Sequence, residues 1–299
     1  MMKIAGAKSL RRFCVAAVLL FGVTEACALT VSDGTGRSVT LARPATRIVT
    51  LAPSTTELVY AAGGGGAMVG TVDYSDFPPA ARRLPHVGGL SGQSLEAILR
   101  LRPDLVVAWL DGVSPQLLDR LRGQGIAVFV SHPLAPDDVA REMLALGRLA
   151  GTDAVAARVA ASYRGRLDAL RHRYRQRAPV TVFYQVGTAP LFTVSDHSFV
   201  GPLLQLCGGR NVFAAVPAPA PQVSREAVVA ARPQVMLSAT VRDLAIWDNW
   251  RSIPAVAYGT RYAIDTDLAS RPGPRLVDAA QAICTTLDTA RQVLGLTPR

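Results

Sequence analysis

The stretch SLEAILRLRPDLVVA at 94–108 is written a second time as SREAVVAARPQVMLS at 224–238. The copies lie 130 positions apart and align without a gap, with Ser, Glu, Ala, Arg and Pro at identical places. Apolar residues face apolar residues at most other positions. Each copy reads as a helix opened by a Ser cap, broken before Pro103 or Pro233, and followed at once by a strand. A helix that hands over directly to a buried strand is the unit of a parallel sheet covered on its faces. Two copies at this spacing predict two α/β lobes of similar build.

The surrounding sequence has the same grammar. VSDGTGRSVTL, within 29–41, alternates around Asp33-Gly34-Thr35-Gly36 and predicts a hairpin. Residues 47–51 form a β-branched apolar run, hence a buried strand, and a helix follows from Pro53. The glycines at 63–66 end that helix; a phosphate loop would open one and would carry Lys-Ser/Thr. MVGTVDY predicts the next strand, then helix 95–101, strand 105–109, a second helix and strand 126–130.

Between 137 and 177 the strand signal vanishes. Beyond a cap at Thr152 or Asp153, Val155, Val159, Tyr163, Leu167, Leu170 and Tyr174 recur at helical spacing. About 24 residues at 1.5 Å each make a rod of roughly 35 Å. Arg171, Arg173, Arg175 and Arg177 crowd its C-terminal end, where the helix dipole favours cations. After Pro179 a second α/β series begins. It runs through strand 180–186, a helix near 198–206, the second copy of the repeat with strand 235–237, and a strand and turn in IPAVAYGTRYAID. A closing helix places Leu276, Ala280, Ile283, Leu287 and Ala290 on one face. The expected fold class is therefore α/β: two Rossmann-like lobes with parallel-sheet cores, joined by a long rigid helix, with a ligand cleft between them. The expected boundaries are a first lobe at 29–136, a helical link at 137–178 that includes the rod at 153–177, and a second lobe at 179–299. A stiff rod is expected to limit closure to a small tilt.

Residues 1–28 have the plan of an export signal. Lys3, Lys8, Arg11 and Arg12 precede an apolar run at 13–23, and Ala26-Cys27-Ala28 reads as a cleavage site after Ala28. Cys27 as a lipid-attachment site is the alternative, with Thr24 and Glu25 fitting that signal poorly. Removal would take 32 Lys plus Arg and 22 Asp plus Glu to 28 and 21, lowering the formal charge from +10 to +7. The excess is spread along the chain, and no nucleic-acid motif accompanies it, so no nucleic-acid partner is expected. Of four cysteines, Cys207 and Cys284 would remain. An even pair in an oxidising compartment invites a disulfide; two buried thiols are the alternative.

Motifs for catalysis are lacking: there is no G-x-S-x-G elbow and no H-E-x-x-H helix. His86, His132, His172 and His197 are scattered; His86 and His132 could sit near the mouth, but no metal site is expected from them. Ligands of open α/β sheets bind beyond the C-terminal ends of strands. The residues expected there are Tyr74 with Asp76 and Phe77, then Trp109, Val186 with Gly187, and finally Asp267 with Arg271. Aromatic walls with a few polar groups suit a large, flat, partly apolar ligand.

In order and spacing, RIVTLAPSTTELVYAAG, YSDFPP, SLEAILRLRPDLVVAW, CGGRNVF, PQVSREAVVAARPQ and AAQAIC together resemble the periplasmic substrate-binding proteins of ABC importers. Within that class, whose lobes are joined by a backbone helix, the chain looks most like the cobalamin binders. The resemblance implies a periplasmic carrier for cobalamin or a related corrinoid, delivered to an ABC permease in the inner membrane, acting as a monomer without a catalytic cofactor. It implies that Tyr74 and Trp109 contact the corrin and that Asp267 and Arg271 form a polar pair at the ligand. It also implies that Cys207 and Cys284 form a disulfide, and that Glu96 and Glu226, one per lobe, meet arginines of the permease. Each Glu also follows a helix-capping Ser by two residues, where an acid is favoured by the dipole alone. Leu90, Val186 and Ala220 stand where cobalamin binders often have aromatics. A haem or a ferric siderophore therefore remains an alternative ligand, and an exported enzyme using the same cleft is the reading from another class.

Overall fold

The computed structural model describes residues 28–89 and 92–296. The export signal expected over 1–28, Ala28 apart, lies outside the described residues, as does Leu90. Strands β1 (Leu29–Ser32) and β2 (Ser38–Leu41) form the expected antiparallel hairpin. Its turn is held by the Asp33 carboxylate, which accepts hydrogen bonds from the backbone N–H groups of Thr35 and Arg37, both at 2.9 Å. The first lobe continues through β3 (Ile48–Thr50), α1 (Pro53–Ala61), β4 (Met68–Gly70), α2 (Leu95–Arg100), β5 (Leu105–Trp109), α3 (Pro115–Gly123) and β6 (Ala127–Ser131). Its four strands pair in parallel in the order β4-β3-β5-β6. Gly63, at φ +90°, lies just past the end of α1, a conformation that favours glycine.

Two helices follow, α4 (Pro136–Ala150) and α5 (Asp153–Tyr174). The rod is thus 22 residues, about 33 Å, and ends three residues before the expected 177. Ala156, Ala160, Tyr163, Leu167, Leu170 and Tyr174 are buried along it, while Val155 and Val159 are half-buried. Thr152 is the residue before the helix, but its hydroxyl does not cap it. The hydroxyl donates instead to the carbonyl of Ala62 at 2.6 Å, fastening the rod's start to the end of α1.

The second lobe comprises β7 (Val180–Val186), β8 (Phe192–Thr193), α6 (Gly201–Leu206), β9 (Gly209–Asn211), α7 (Arg225–Ala231), β10 (Val235–Ser238), α8 (Pro254–Ala257), β11 (Arg261–Ala263), α9 (Thr266–Ala269) and α10 (Leu276–Val293). β9, β7, β10 and β11 pair in parallel in that order, and β8 adds an antiparallel strand at the end of β7. In IPAVAYGTRYAID the expected strand is confined to 261–263; Pro254 instead starts a single helical turn. On α10 the five expected positions are all fully buried. Cys207, which ends α6, is bonded to Cys284 of α10, with their Cα atoms 4.7 Å apart.

Numbering the parallel strands by their order in the chain, both lobes have the sheet order 2-1-3-4, and the repeated phrase supplies the third strand of each. Its letters now have local causes. Ser94 and Ser224 accept from the N–H groups of Ala97 and Ala227, each at 3.2 Å. Arg102 and Arg232 take the left-handed conformation, at φ +45° and +47°, which ends each helix just before its proline. Asp104 Oδ1 accepts from the backbone N–H of Arg47, and Gln234 Oε1 from that of Thr181, both at 2.9 Å. The third strand therefore holds the start of the first in each lobe.

Glu142 of α4 is the buried acid of the first lobe. Its carboxylate accepts from Ser131 Oγ at 2.5 Å and from the N–H of His132 at 2.8 Å. Burial pushes its carboxyl up to about 7, against the opposing effect of those two bonds. The folded protein therefore keeps a proton that the unfolded chain releases above the ordinary carboxyl range. The stability this confers is full at low pH and is lost as pH rises through about 7. Glu142→Gln, which mimics the protonated form, is expected to remove this dependence. Between pH 5 and 8 the native chain should lose roughly 2–3 kcal/mol relative to the variant in urea unfolding, one pKa unit being about 1.4 kcal/mol.

Candidate ligand-binding cleft

In a sheet of order 2-1-3-4 the connections leave strands 1 and 3 in opposite directions, which opens a crevice at their C-terminal ends. In the first lobe those strands are β3 and β5. A cavity of about 810 Å³ lies there, lined by Leu51, Ala52 and Pro53 after β3 and by Trp109, Asp111 and Gly112 after β5. Tyr74, in the loop after β4, forms another wall. Trp109 is half-buried and Tyr74 is 65% exposed, so both rings have surface to offer a ligand.

Tyr74 is held at φ +64°, unusual for an aromatic residue. The loop is fastened from below. Ser75 is buried, and Thr56 Oγ1 donates to Ser75 Oγ at 3.2 Å. Thr56 also bonds Thr50 and Thr71, each at 2.7 Å, and Thr50 donates to Thr71 at 3.0 Å. Four buried hydroxyls thus tie β3, α1, the chain beyond β4 and the aromatic loop into one network. The sequence offered this as Ser-Thr-Thr at 54–56, which reads as a helix start; the network needs Thr50, Thr71 and Ser75, whose part in it no local pattern announces.

Polar groups complete the lining: Asp73, Gln93, Glu96, Gln116 and Arg120. Asp73 is 2.8 Å from His86 Nδ1, on the loop side of the cavity. Among the described residues, no three or more His, Cys, Asp or Glu come together as a metal site.

The structure brings Tyr74 and Trp109 together but places the second lobe's expected residues apart from this cavity. Val186 closes β7, the first strand of its sheet, and is 42% exposed. Ala220 is exposed. Asp267, on α9, is exposed and pairs with Arg271 at 3.1 Å. Arg271 is not a free ligand contact. It donates to Asp76 Oδ1 at 2.7 Å and to Glu57 Oε1 at 3.2 Å, both in the first lobe. Arg275 joins it, binding Glu57 Oε2 through Nε at 2.8 Å and Oε1 through Nη2 at 2.7 Å. The Arg275 guanidinium also lies 4.4 Å from the centre of the Phe77 ring. The Arg271 hydrogen bond holds the Asp76 carboxyl below the usual range. Burial alone would lower Arg271, but its bonds to Asp76 and Glu57 more than reverse this. Glu57 and Arg275 went unrecognised in the sequence. The only hint was an acid directly after the buried threonines, and a second Arg four residues after Arg271.

Glu96 and Glu226 occupy the first turns of α2 and α7 and are exposed. Each carboxyl lies below the usual range, through its own backbone N–H and then the hydroxyl of Ser94 or Ser224. Both therefore stand ionised in solvent. Glu96 is also at the rim of the cavity.

Two lobes of the same topology, a connecting helix and a ligand-sized cavity at a switch point define a familiar architecture. The sequence profile described as periplasmic binding protein matches residues 48–268. The chain belongs to the periplasmic binding proteins. It is 39% identical over 248 residues to the vitamin B12-binding protein of Yersinia pestis (strain Pestoides F), covering 81% of this chain and 86% of that one. The crystal structure of the periplasmic vitamin B12 binding protein BtuF of Vibrio cholerae superposes with a TM-score of 0.79 at 36% identity. That match covers 83% of this chain and 99% of the other. The periplasmic heme-binding protein RhuT from Roseiflexus sp. RS-1 superposes with a TM-score of 0.73 at 25% identity, over 82% and 98% of the two chains. These relatives bind ligands, and the chain is a binding protein, not an enzyme.

The hydroxyl network is expected to matter for stability as well as for the aromatic wall. Thr56→Val keeps the shape and leaves Thr50, Thr71 and Ser75 short of a partner. Urea unfolding should show a loss of about 1–3 kcal/mol, the cost of a buried polar group left unpaired.

Proposed function

We propose that the protein captures cobalamin or a related corrinoid between its two lobes and delivers it to the permease of an ABC importer in the inner membrane. One observation carries the ligand: a chain 39% identical to a vitamin B12-binding protein walls its cavity with Tyr74 and Trp109. A corrin is broad, flat and edged with amides. Two exposed aromatic faces suit its plane, and Gln93, Gln116 and Arg120 suit its polar edge. Val186 and Asp267 are the second lobe's candidate contacts, and Arg271 acts behind them through its carboxylate partners. The division proposed with it is lobes at 29–136 and 179–299 and a helical link at 137–178. The protein works as a monomer in the periplasm after cleavage at Ala28.

A haem is the second reading. It is favoured by the likeness to a heme-binding protein and by Val186 and Ala220, which are small where a larger wall would enclose a corrinoid. Titration with cyanocobalamin, cobinamide, haemin and a ferric siderophore separates these readings. A corrinoid is expected to bind with a micromolar or tighter Kd. Failure of both corrinoids to bind in that range would sink the proposal.

Delivery rests on Glu96 and Glu226, two ionised carboxylates at equivalent points of the two lobes. Charge reversal at either is expected to abolish corrinoid uptake by cells while purified protein keeps its affinity. Glu226→Lys gives the cleaner arm, because Glu96 also borders the cavity. Uptake at the native rate with both positions reversed would remove these residues from the interface.

A further inference from the structure

The buried carboxylate of Glu57 does not belong to the cavity, and neither packing nor helix capping accounts for it. Its side chain is 2% exposed, and both oxygens are occupied by guanidinium groups of the other lobe. Arg275 meets it side-on with two N–H groups, the geometry that fixes a carboxylate in direction as well as distance. Arg271 is shared among Glu57, Asp76 and Asp267 with its side chain only 12% exposed. The two arginines stand at the ends of the short segment Arg271-Pro272-Gly273-Pro274-Arg275, just before α10. That segment lies close against α1: a Cβ added to Gly273 would meet the backbone oxygen of Ser54 at 3.3 Å. On one side Pro274 borders a small cavity with Val159 and Tyr163 of the rod. On the other, Asp76 is two residues beyond Tyr74 in the cleft wall. The segment therefore lies between the rod and the cleft.

We propose that Glu57 is a positioning residue that clasps the two lobes: through Arg275 and Arg271 it fixes their separation and hence the width of the cleft that a ligand meets. The rod sets how far apart the lobes' far ends stand but leaves their mutual tilt to contacts near it. A clasp close to the rod governs that tilt, because a small slip there is magnified at the mouth. Opening would pull the Glu57 carboxylate away from the two guanidinium groups that hold it. A buried charge without a partner is strongly disfavoured. The Arg275 stack on Phe77 adds a second contact to the same loop that carries Tyr74, so lobe spacing and aromatic wall are set by one group of residues. Nothing in this inference depends on which ligand the cleft takes.

The test reads lobe spacing directly in the ligand-free full chain. Cysteines replacing the exposed Asp119 and Arg251, one per lobe, carry spin labels, in a chain whose Cys14 and Cys27 are changed to Ser and whose Cys207 and Cys284 are bonded to each other. Pulsed electron paramagnetic resonance gives the distance distribution. The parent is expected to show one narrow population. Glu57→Gln and Arg275→Gln should broaden it and shift it to longer separation, while Arg275→Lys, which keeps the charge and loses the fork, should recover part of the narrow population. Arg275 is partly exposed, so its variants serve if Glu57→Gln fails to fold. An unchanged distribution in folded Arg275→Gln overturns the proposal, even if the melting temperature falls, since that would mark a merely structural pair. Because no ligand is present, failure here leaves the corrinoid reading untouched.

Discussion

Each lobe depends on one backbone tie at the start of its first strand. Asp104 and Gln234, the residues after the repeated prolines, accept the N–H groups of Arg47 and Thr181. A parallel pair has no hairpin to set its register, so side-chain contacts of this kind contribute to it. With the register set, the strands end together. Their C-terminal ends become a common edge, and the loops that leave it become the walls of the cleft. The repeated phrase is thus mostly a device for aligning strands: its serine opens the helix, and its left-handed arginine ends the helix ahead of the strand.

The two edges are not equally furnished. The first lobe has a hollow with two aromatic faces and a polar rim. The second offers Val186 at the matching strand end, where the added strand β8 hydrogen-bonds to residues 185–186. Its main contribution to the first lobe is cationic, through Arg271 and Arg275. The hollow and its aromatic faces thus lie in the first lobe, while the second meets that lobe with two guanidinium groups.

Much of the fold was legible because its signals are periodic and local. β7 falls at 180–186 as its apolar run predicts, and α10 buries the five residues that its spacing picks out. Errors arose where a local signal met a competing one. Pro254 started a helical turn that leaves the expected strand only 261–263, and Thr152 spent its hydroxyl on Ala62 instead of capping its own helix. The cleft was half legible. Trp109 ends a strand and Tyr74 lies in the loop after one, so both could be placed by rule. Glu57 could not, since an acid in the first half of a helix ordinarily faces water. It is buried because two arginines more than 200 positions later fold onto it, a fact with no trace in its neighbourhood.

The serines that open the two copies of the phrase have a consequence beyond capping. Each shares its hydroxyl with the acid two residues on, and the acid's own N–H helps in the same direction. Both acids therefore hold their negative charge into more acidic solution than a free glutamate would. A protein exported beyond the inner membrane meets whatever acidity the surroundings impose. For such a protein both of these charges, alike in origin, would outlast that of a free glutamate as the medium sours.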